Sequence, residues 1–76
     1  MFRRLNDKSY WHWSIARTAD KRQTYRGQAL RLAQQIADKE GVVDEDEFVR
    51  RASQINLGRA GAAEWAAWFT QAGIWA

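Results

Sequence analysis

Residues 20–41 read DKRQTYRGQALRLAQQIADKEG, which is the longest stretch of the chain with helical periodicity. Asp20 and Gln23 have the spacing of a capping box, in which two side chains bond to the first free backbone amides. Gly41 is the residue type that ends helices in a left-handed turn. The apolar residues between these signals fall on one arc: Tyr25, Ala29, Leu32, Ala33, Ile36 and Ala37, with Leu30 at its edge. The segment therefore predicts a helix over residues 21–40 that buries its second half.

The start of this helix is basic. Lys21, Arg22 and Arg26 occupy it, and the two arginines lie on the same arc as the apolar residues. Either the buried stripe leaves the core before it reaches them, or their long side chains extend past it into solvent. Both interpretations place guanidinium groups beside the edge of the core, which makes this end of the helix the first candidate for a binding surface.

The composition predicts a single small domain spanning residues 1–76. A chain of 76 residues buries only about 60% of its unfolded surface, so its stability margin is small. Five Trp, three Phe and two Tyr supply large apolar side chains for the core. Proline and cysteine are both absent, which favours uninterrupted helices and excludes disulfides. The sequence shows neither a signal segment nor a membrane span, and we expect a cytoplasmic protein without membrane association.

Three further helices are expected. Residues 1–8 are predicted to be a basic, frayed lead-in, followed by a helix over residues 8–18. A strand is the rival interpretation of the aromatic run at residues 10–13, but no second convincing strand is there to pair with it. Asp44 begins another helix, over residues 45–55, and Val43 and Phe48 have the spacing of a hydrophobic staple.

The last predicted helix covers residues 61–72. Gly73 is expected to end it, and Ile74 is expected to fold back on Phe69 in a Schellman closure. The fold class predicted is thus all-α, a compact bundle of about four helices. The predicted core contains Trp11, Ile15, Leu32, Ile36, Phe48, Ile55, Trp65, Trp68 and Phe69.

Catalytic groups are scarce in this sequence, and we predict that the protein is not an enzyme. His12 is the sole histidine, its nearest hydroxyls are on neighbouring residues, and no third residue is placed to orient it. The sequence has no set of metal ligands and no glycine-rich phosphate loop, so we predict neither a metal nor another cofactor. A small-molecule substrate is likewise not expected.

Charge divides the chain in two. Residues 1–31 carry a formal charge of +6, and residues 32–76 carry −3. Aromatic and basic residues interleave in the N-terminal half, and the predicted binding residues are Tyr10, Trp13, Arg17, Lys21, Arg22 and Arg26. Such residues can stack bases and pair with phosphates, or anchor a protein interface. The alternative for Tyr10 and Trp13 is burial in the core. Secondary binding candidates are Arg50, Arg51 and Arg59.

Two short motifs are candidates for nucleic-acid sites. Residues 28–55 have the helix–turn–helix spacing, but four acidic residues would open the recognition helix and repel phosphates. Gly58-Arg59-Ala60-Gly61 resembles the GXXG loop of KH domains, which clamps a nucleic-acid backbone. The strands of a KH sheet are missing from the sequence, so the four residues are interpreted as a helix–helix turn.

The leading hypothesis is a non-enzymatic regulatory or inhibitory protein, of phage or plasmid accessory type, that docks on another macromolecule. A protein partner is favoured over nucleic acid. Arginine outnumbers lysine nine to three, which favours bidentate and stacked contacts. The alternative is a nucleic-acid-binding protein that uses the basic N-terminal face. The Trp-rich face of the last helix is expected to be buried in the core or in a homodimer.

Overall fold

The computed structural model describes residues 1–7 and 23–76. In chain order, the elements are β1 (Phe2–Arg3), α1 (Gln23–Glu40), β2 (Val43–Asp44), α2 (Glu45–Ala52) and α3 (Ala62–Gln71). The prediction of a four-helix, all-α bundle is wrong, because the described residues form three helices and a two-stranded antiparallel sheet. The helix predicted over residues 8–18 lies outside the described residues.

The sheet pairs the start of the chain with the segment before α2. Phe2 lies opposite Asp44, and Arg3 lies opposite Val43. The Met1 carbonyl accepts a hydrogen bond from the Glu45 amide at 2.9 Å, which extends the pairing. Strands of two residues carry no alternating pattern of polar and apolar residues, so sequence periodicity could not reveal them.

The same N-terminal segment also pairs with the end of the chain. Leu5 forms an antiparallel bridge with Trp75. Arg4 and Ala76 exchange backbone hydrogen bonds of 3.3 and 2.9 Å, and the Asn6 amide donates to the Ile74 carbonyl at 2.9 Å. Since alternate residues of a strand present their backbone groups to opposite edges, residues 1–6 lie between residues 43–45 and residues 74–76. Residues 1–8 were expected to be a frayed lead-in, but the described part of them is hydrogen-bonded on both edges.

Helix α1 ends as its sequence predicts. Gly41 has a φ of 81°, and its amide donates to the Ala37 carbonyl at 2.7 Å. Gly41 therefore stops the helix and lets the chain reverse directly into β2.

Ala29 and Ala33 of this helix are completely buried, because their small side chains allow the neighbouring elements to approach the helix closely.

Helix α2 begins as predicted but ends earlier. The Asp44 carboxylate accepts a hydrogen bond from the Asp46 amide at 3.1 Å, and Val43 and Phe48 are both fully buried. The helix stops at Ala52, where the Ser53 hydroxyl donates to the Arg50 carbonyl at 2.7 Å. The chain then turns away, and Ile55 is 47% exposed.

Helix α3 ends in the predicted Schellman closure. The Ile74 amide donates to the Phe69 carbonyl at 2.9 Å, and the Gly73 amide donates to the Thr70 carbonyl at 3.3 Å. Gly73 has the left-handed φ of 71° that this motif needs. Ile74 is consequently returned to the core, where it is fully buried.

The core is centred on three rings contributed by three parts of the chain. The ring centroids of Phe48, Phe69 and Trp75 lie 5.0–5.4 Å apart in tilted or edge-to-face contacts. The Trp75 indole Nε1 donates to the Thr70 hydroxyl at 2.9 Å. Arg3 covers the outer side of this cluster, with its guanidinium carbon 5.8 Å from the Trp75 ring centroid.

The predicted core is confirmed at Ile36, Phe48, Trp65 and Phe69, which are buried. Leu32 and Trp68 are half-buried and pack against the core. The prediction that Ile55 belongs to the core is wrong, because the early end of α2 removes it from the apolar face. Leu57 is buried instead. Trp11 and Ile15 lie outside the described residues. In the part of the chain that the structure describes, no helix has the length and apolar character needed to cross a lipid bilayer.

Candidate functional site

A groove of about 670 Å³ lies between the start of α1, the loop that precedes α3, and the first two turns of α3. Its lining combines aromatic rings with charged side chains. The lining residues are Tyr25, Arg26, Leu57, Gly58, Arg59, Ala60, Glu64, Trp65 and Trp68. Three separate stretches of chain therefore meet at this groove.

Two tryptophans of α3 form the base of the groove. Their ring centroids are 5.4 Å apart in an edge-to-face contact. Trp65 is buried, and its indole Nε1 donates to the Leu57 carbonyl at 3.2 Å. Trp68, one turn later, is half-buried and faces α1. The hydrogen bond of Trp65 ties the loop to the helix, so the base of the groove is held by the core.

Arg26 connects α1 to this base. Its guanidinium carbon lies 5.2 Å from the centroid of the Trp68 ring, within the range of a cation–π interaction. Such a contact restricts the long arginine side chain before any partner arrives. Arg26 thus presents a charge at a defined place beside an aromatic ring.

The loop wall of the groove depends on Gly58. This residue has a φ of 82°, and its amide donates to the Asn56 side-chain oxygen at 3.0 Å. A Cβ atom at Gly58 would lie 3.0 Å from a ring carbon of Tyr25. The glycine therefore permits both the turn and the close packing of Tyr25 against it. The prediction of a helix–helix turn at residues 58–61 is confirmed.

Among the described residues that line the groove, positive side chains outnumber negative ones. Arg26 and Arg59 contribute two positive charges, and Glu64 contributes one negative charge. Arg59 is exposed and forms no ion pair within residues 1–7 and 23–76. Outside residues 8–22 the chain has eight basic and eight acidic side chains, so the entire excess of +3 comes from residues 8–22. That basic segment leads directly into α1, whose first described turns line the groove.

The structure brings together two of the predicted binding residues. Arg26 and the secondary candidate Arg59 line the same groove. Five other predicted residues lie outside the described part of the chain: Tyr10, Trp13, Arg17, Lys21 and Arg22. Tyr25, Trp65 and Trp68 are not among the predicted binding residues, because their helical spacing gives them the pattern of core residues.

The other two secondary candidates lie on α2 and do not line the groove. Arg51 forms an ion pair with Glu47 at 2.6 Å, and Arg50 is exposed. The acidic start of α2 is largely engaged within the fold, because Asp44 caps the helix and Glu45 binds Arg3 at 2.8 Å. These charges accordingly stabilise the helix start and its contact with β1.

Comparison with known proteins gives no match from which a role for this groove could be taken. None of the protein-family models matches the chain, and neither a curated protein nor a solved structure is detectably similar to it. Within residues 1–7 and 23–76, no group of three His, Cys, Asp or Glu side chains is placed to hold a metal ion. Among its described residues, the group types that give the site its chemistry are arginines, aromatic rings and the Glu64 carboxylate.

Proposed function

We propose that this chain is a non-enzymatic regulatory or inhibitory protein that docks on another protein through the groove. The observation that carries the proposal is the Arg26 guanidinium 5.2 Å from the Trp68 ring, with Arg59 lining the same groove. Tryptophan, tyrosine and arginine are the residues that contribute most binding energy at protein interfaces. Here all three types surround one concave surface whose base is held by the core.

The chemistry of the lining supports binding over catalysis. Among the described residues, the titratable side chains of the lining are those of Tyr25, Glu64 and the two arginines. These described residues do not include a nucleophile with an adjacent base to activate it. A cytoplasmic location remains part of the proposal, and the absence of cysteine supports it.

The charge and burial of the lining favour a protein over a nucleic acid. Trp65 is only 6% exposed, so its ring offers no accessible face on which a base could stack. Glu64 adds a negative charge that a phosphate backbone would meet. Helix α3 also buries Trp65, Ala66 and Phe69 within its own chain. For this reason we propose the groove, and not a homodimer contact of α3, as the main partner surface.

Affinity capture from a nuclease-treated lysate of the source organism tests the proposal. The bait is the full chain, compared with a double variant, Arg26→Glu with Arg59→Glu. A matched control, Arg31→Glu with Lys39→Glu, makes the same charge change at exposed positions of α1 outside the groove. We expect one protein to be retained by the wild type and the control and lost from the groove variant. Equal retention by all three baits, or retention of no protein, would contradict the proposal.

The second candidate function is nucleic-acid binding by the basic N-terminal half. The observation that favours it is the location of the whole +3 excess in residues 8–22. Binding of this kind falls steeply with salt, with a log–log slope near −0.9 per phosphate contact on duplex DNA. Fluorescence anisotropy with labelled duplex DNA, single-stranded DNA and RNA at about 50 mM salt gives the most permissive test. An absence of binding to all three probes under that condition eliminates this candidate.

A further inference from the structure

The groove has features that specify the chemistry of its partner. We infer that it binds a short linear peptide segment in which a carboxylate side chain lies next to a flat apolar side chain. This inference rests on the proposed function and narrows it from a protein partner to a defined kind of segment. It is supported by the size of the groove, the placement of its arginines, the half-buried rings and the position of Glu64.

The size of the groove indicates a segment and not a broad protein face. Its volume of about 670 Å³ lies within the range of about 300–1,000 Å³ typical of pockets that enclose small ligands. A standard protein–protein interface instead buries about 800 Å² on each partner over a broad, shallow surface. A concave site of this size encloses a few neighbouring side chains of an extended peptide.

The two arginines specify the carboxylate. Arg26 comes from α1 and Arg59 from the loop before α3, so they contribute positive charge from two separate elements that line the groove. Arginine binds carboxylates through paired, charge-assisted hydrogen bonds that are stronger than those it makes to a neutral amide. Because Arg26 is already held against the Trp68 ring, it loses less freedom when it binds a carboxylate.

The rings specify the neighbouring side chain. Tyr25, Trp68 and Ala60 are half-buried around the groove and leave part of their apolar surface in solvent. A flat side chain, such as that of Phe, Tyr or Trp, covers this surface with ring contacts and loses few rotamers on binding. The apolar residue of the segment therefore adjoins the residue that binds the arginines.

Glu64 distinguishes this ligand from a polyanion. It is exposed in the first turn of α3 and lines the same groove as the arginines. A second negative charge beside it would be repelled, which penalises polyglutamate and nucleic acid more than a peptide with one acidic residue. The partner that fits is acidic at one position and apolar at the next.

The test begins with selection of random linear peptides displayed on phage against the immobilised full-length chain. We expect the selected peptides to share Asp or Glu adjacent to an aromatic residue. A fluorescein-labelled copy of the best peptide is then titrated by anisotropy, alongside its Asp→Asn or Glu→Gln form. The neutral form should bind at least about tenfold more weakly, since it loses charge-assisted bonds.

Variants of the chain locate the binding site. Arg26→Gln and Arg59→Gln should each weaken binding of the acidic peptide by about tenfold or more, whereas the exposed control Arg31→Gln should leave it unchanged. Glu64→Gln should strengthen binding of the peptide and of a polyglutamate probe. Far-UV circular dichroism and thermal melting of each variant establish that the fold is retained.

The outcomes separate this inference from the proposed function. Selected peptides without an acidic residue, or equal binding of the neutral form, would overturn the inference while a protein partner captured through Arg26 and Arg59 would still support the function. Selection of no peptide, despite such capture, would also overturn it. If an oligonucleotide binds more tightly than the peptide and competes with it, both the inference and the protein-docking function fail.

Discussion

Leu5 forms an antiparallel bridge with Trp75, which joins the first and last segments of the chain. The bridge holds the Trp75 ring against Phe48 and Phe69, at centroid distances of 5.4 and 5.0 Å. The last described turn of the protein thus contributes a central part of its core. This relationship makes the stability of the fold depend on residues at both ends of the sequence.

Replacement of Trp75 should be severely destabilising. Trp75 is 2% exposed, and Trp75→Ala should cost about 3–5 kcal/mol through lost burial and the remaining cavity. Urea denaturation monitored by circular dichroism measures this loss. Trp75→Phe, which keeps an aromatic ring, should fall between the alanine variant and the wild type. The control is Phe2→Ala, because Phe2 is 70% exposed and its replacement should change stability by no more than about 0.5 kcal/mol.

The hydrogen bond between the Trp75 indole and the Thr70 hydroxyl should contribute measurably to the free energy of unfolding. Thr70→Val removes the acceptor and should destabilise the protein by about 1 kcal/mol, whereas Thr70→Ser should retain most of the bond. In a Trp75→Phe background the donor is absent, so Thr70→Val should have a smaller effect, limited to the loss of the bond that the Thr70 hydroxyl donates to the Ala66 carbonyl at 3.3 Å. A double-mutant cycle in urea reports this coupling. Additive effects would show that the bond contributes nothing to stability.

Two glycine-to-alanine substitutions should act in opposite directions. Gly27 lies inside α1 with no atom placed to clash with an added Cβ, so Gly27→Ala should stabilise the protein by about 0.5–1 kcal/mol. Gly58 has a φ of 82° and contacts the Tyr25 ring, so Gly58→Ala should destabilise it by about 1–2 kcal/mol from the left-handed backbone alone. Melting temperatures of the two variants should therefore move apart. A Gly58→Ala variant as stable as the wild type would argue against the loop conformation.

The Asp44 cap of α2 should contribute more to the free energy of unfolding than the surface charges that follow it. Asp44→Ala removes the carboxylate that accepts from the Asp46 amide and should cost about 0.5–2 kcal/mol. Asp44→Ser should restore most of the loss, because serine also caps helices. Asp46→Ala, at an exposed neighbouring position, is the matched control and should have a smaller effect. Thermal unfolding of the three variants provides the comparison, and equal losses for Asp44→Ala and Asp46→Ala would refute a specific capping role.

Arg26 should matter more for binding than for folding. Its contact with Trp68 is of a kind worth about 0.5–2 kcal/mol, depending on how far it is desolvated, so Arg26→Gln should lower stability by about 1–2 kcal/mol. Chemical denaturation of this variant is therefore a direct control for the binding experiments. A loss of several kcal/mol would mean that Arg26 supports the core, and weakened binding could then not be assigned to the groove.

Local signals in the sequence predicted one helix start and two helix ends, while the predicted capping box at Asp20 lies outside the described residues. Asp44 caps α2, Gly41 stops α1, and Gly73 closes α3 with Ile74 folded back on the core. Each of these features depends on residues within a few positions of one another, so their chemistry is visible in the sequence. The predicted end of α2 failed at Ile55 because the periodic apolar spacing continued past the turn at Ser53.

The candidate site was predictable only in part. Arg26 is a predicted binding residue because it is a charged residue on an apolar arc, and Arg59 because it lies in a glycine-flanked turn. Nothing in the spacing of Tyr25, Trp65 and Trp68 distinguishes the wall or base of a groove from an ordinary core. Their role follows from the meeting of α1, α3 and the loop, which is a tertiary arrangement.

Residues 20–41 illustrate which features depend on the local sequence and which depend on the tertiary structure. By itself the sequence determined a long helix, its glycine stop and the burial of its second half, because helix periodicity and stop signals are local. Only the tertiary structure decided that Arg26 lies over Trp68 and that Tyr25 packs against Gly58. It also decided that the N-terminal segment pairs with β2 and with residues 74–76. Those contacts join residues far apart in the chain. Backbone hydrogen bonds of this kind impose no periodic pattern on the side chains, so the periodicity of the sequence does not predict them.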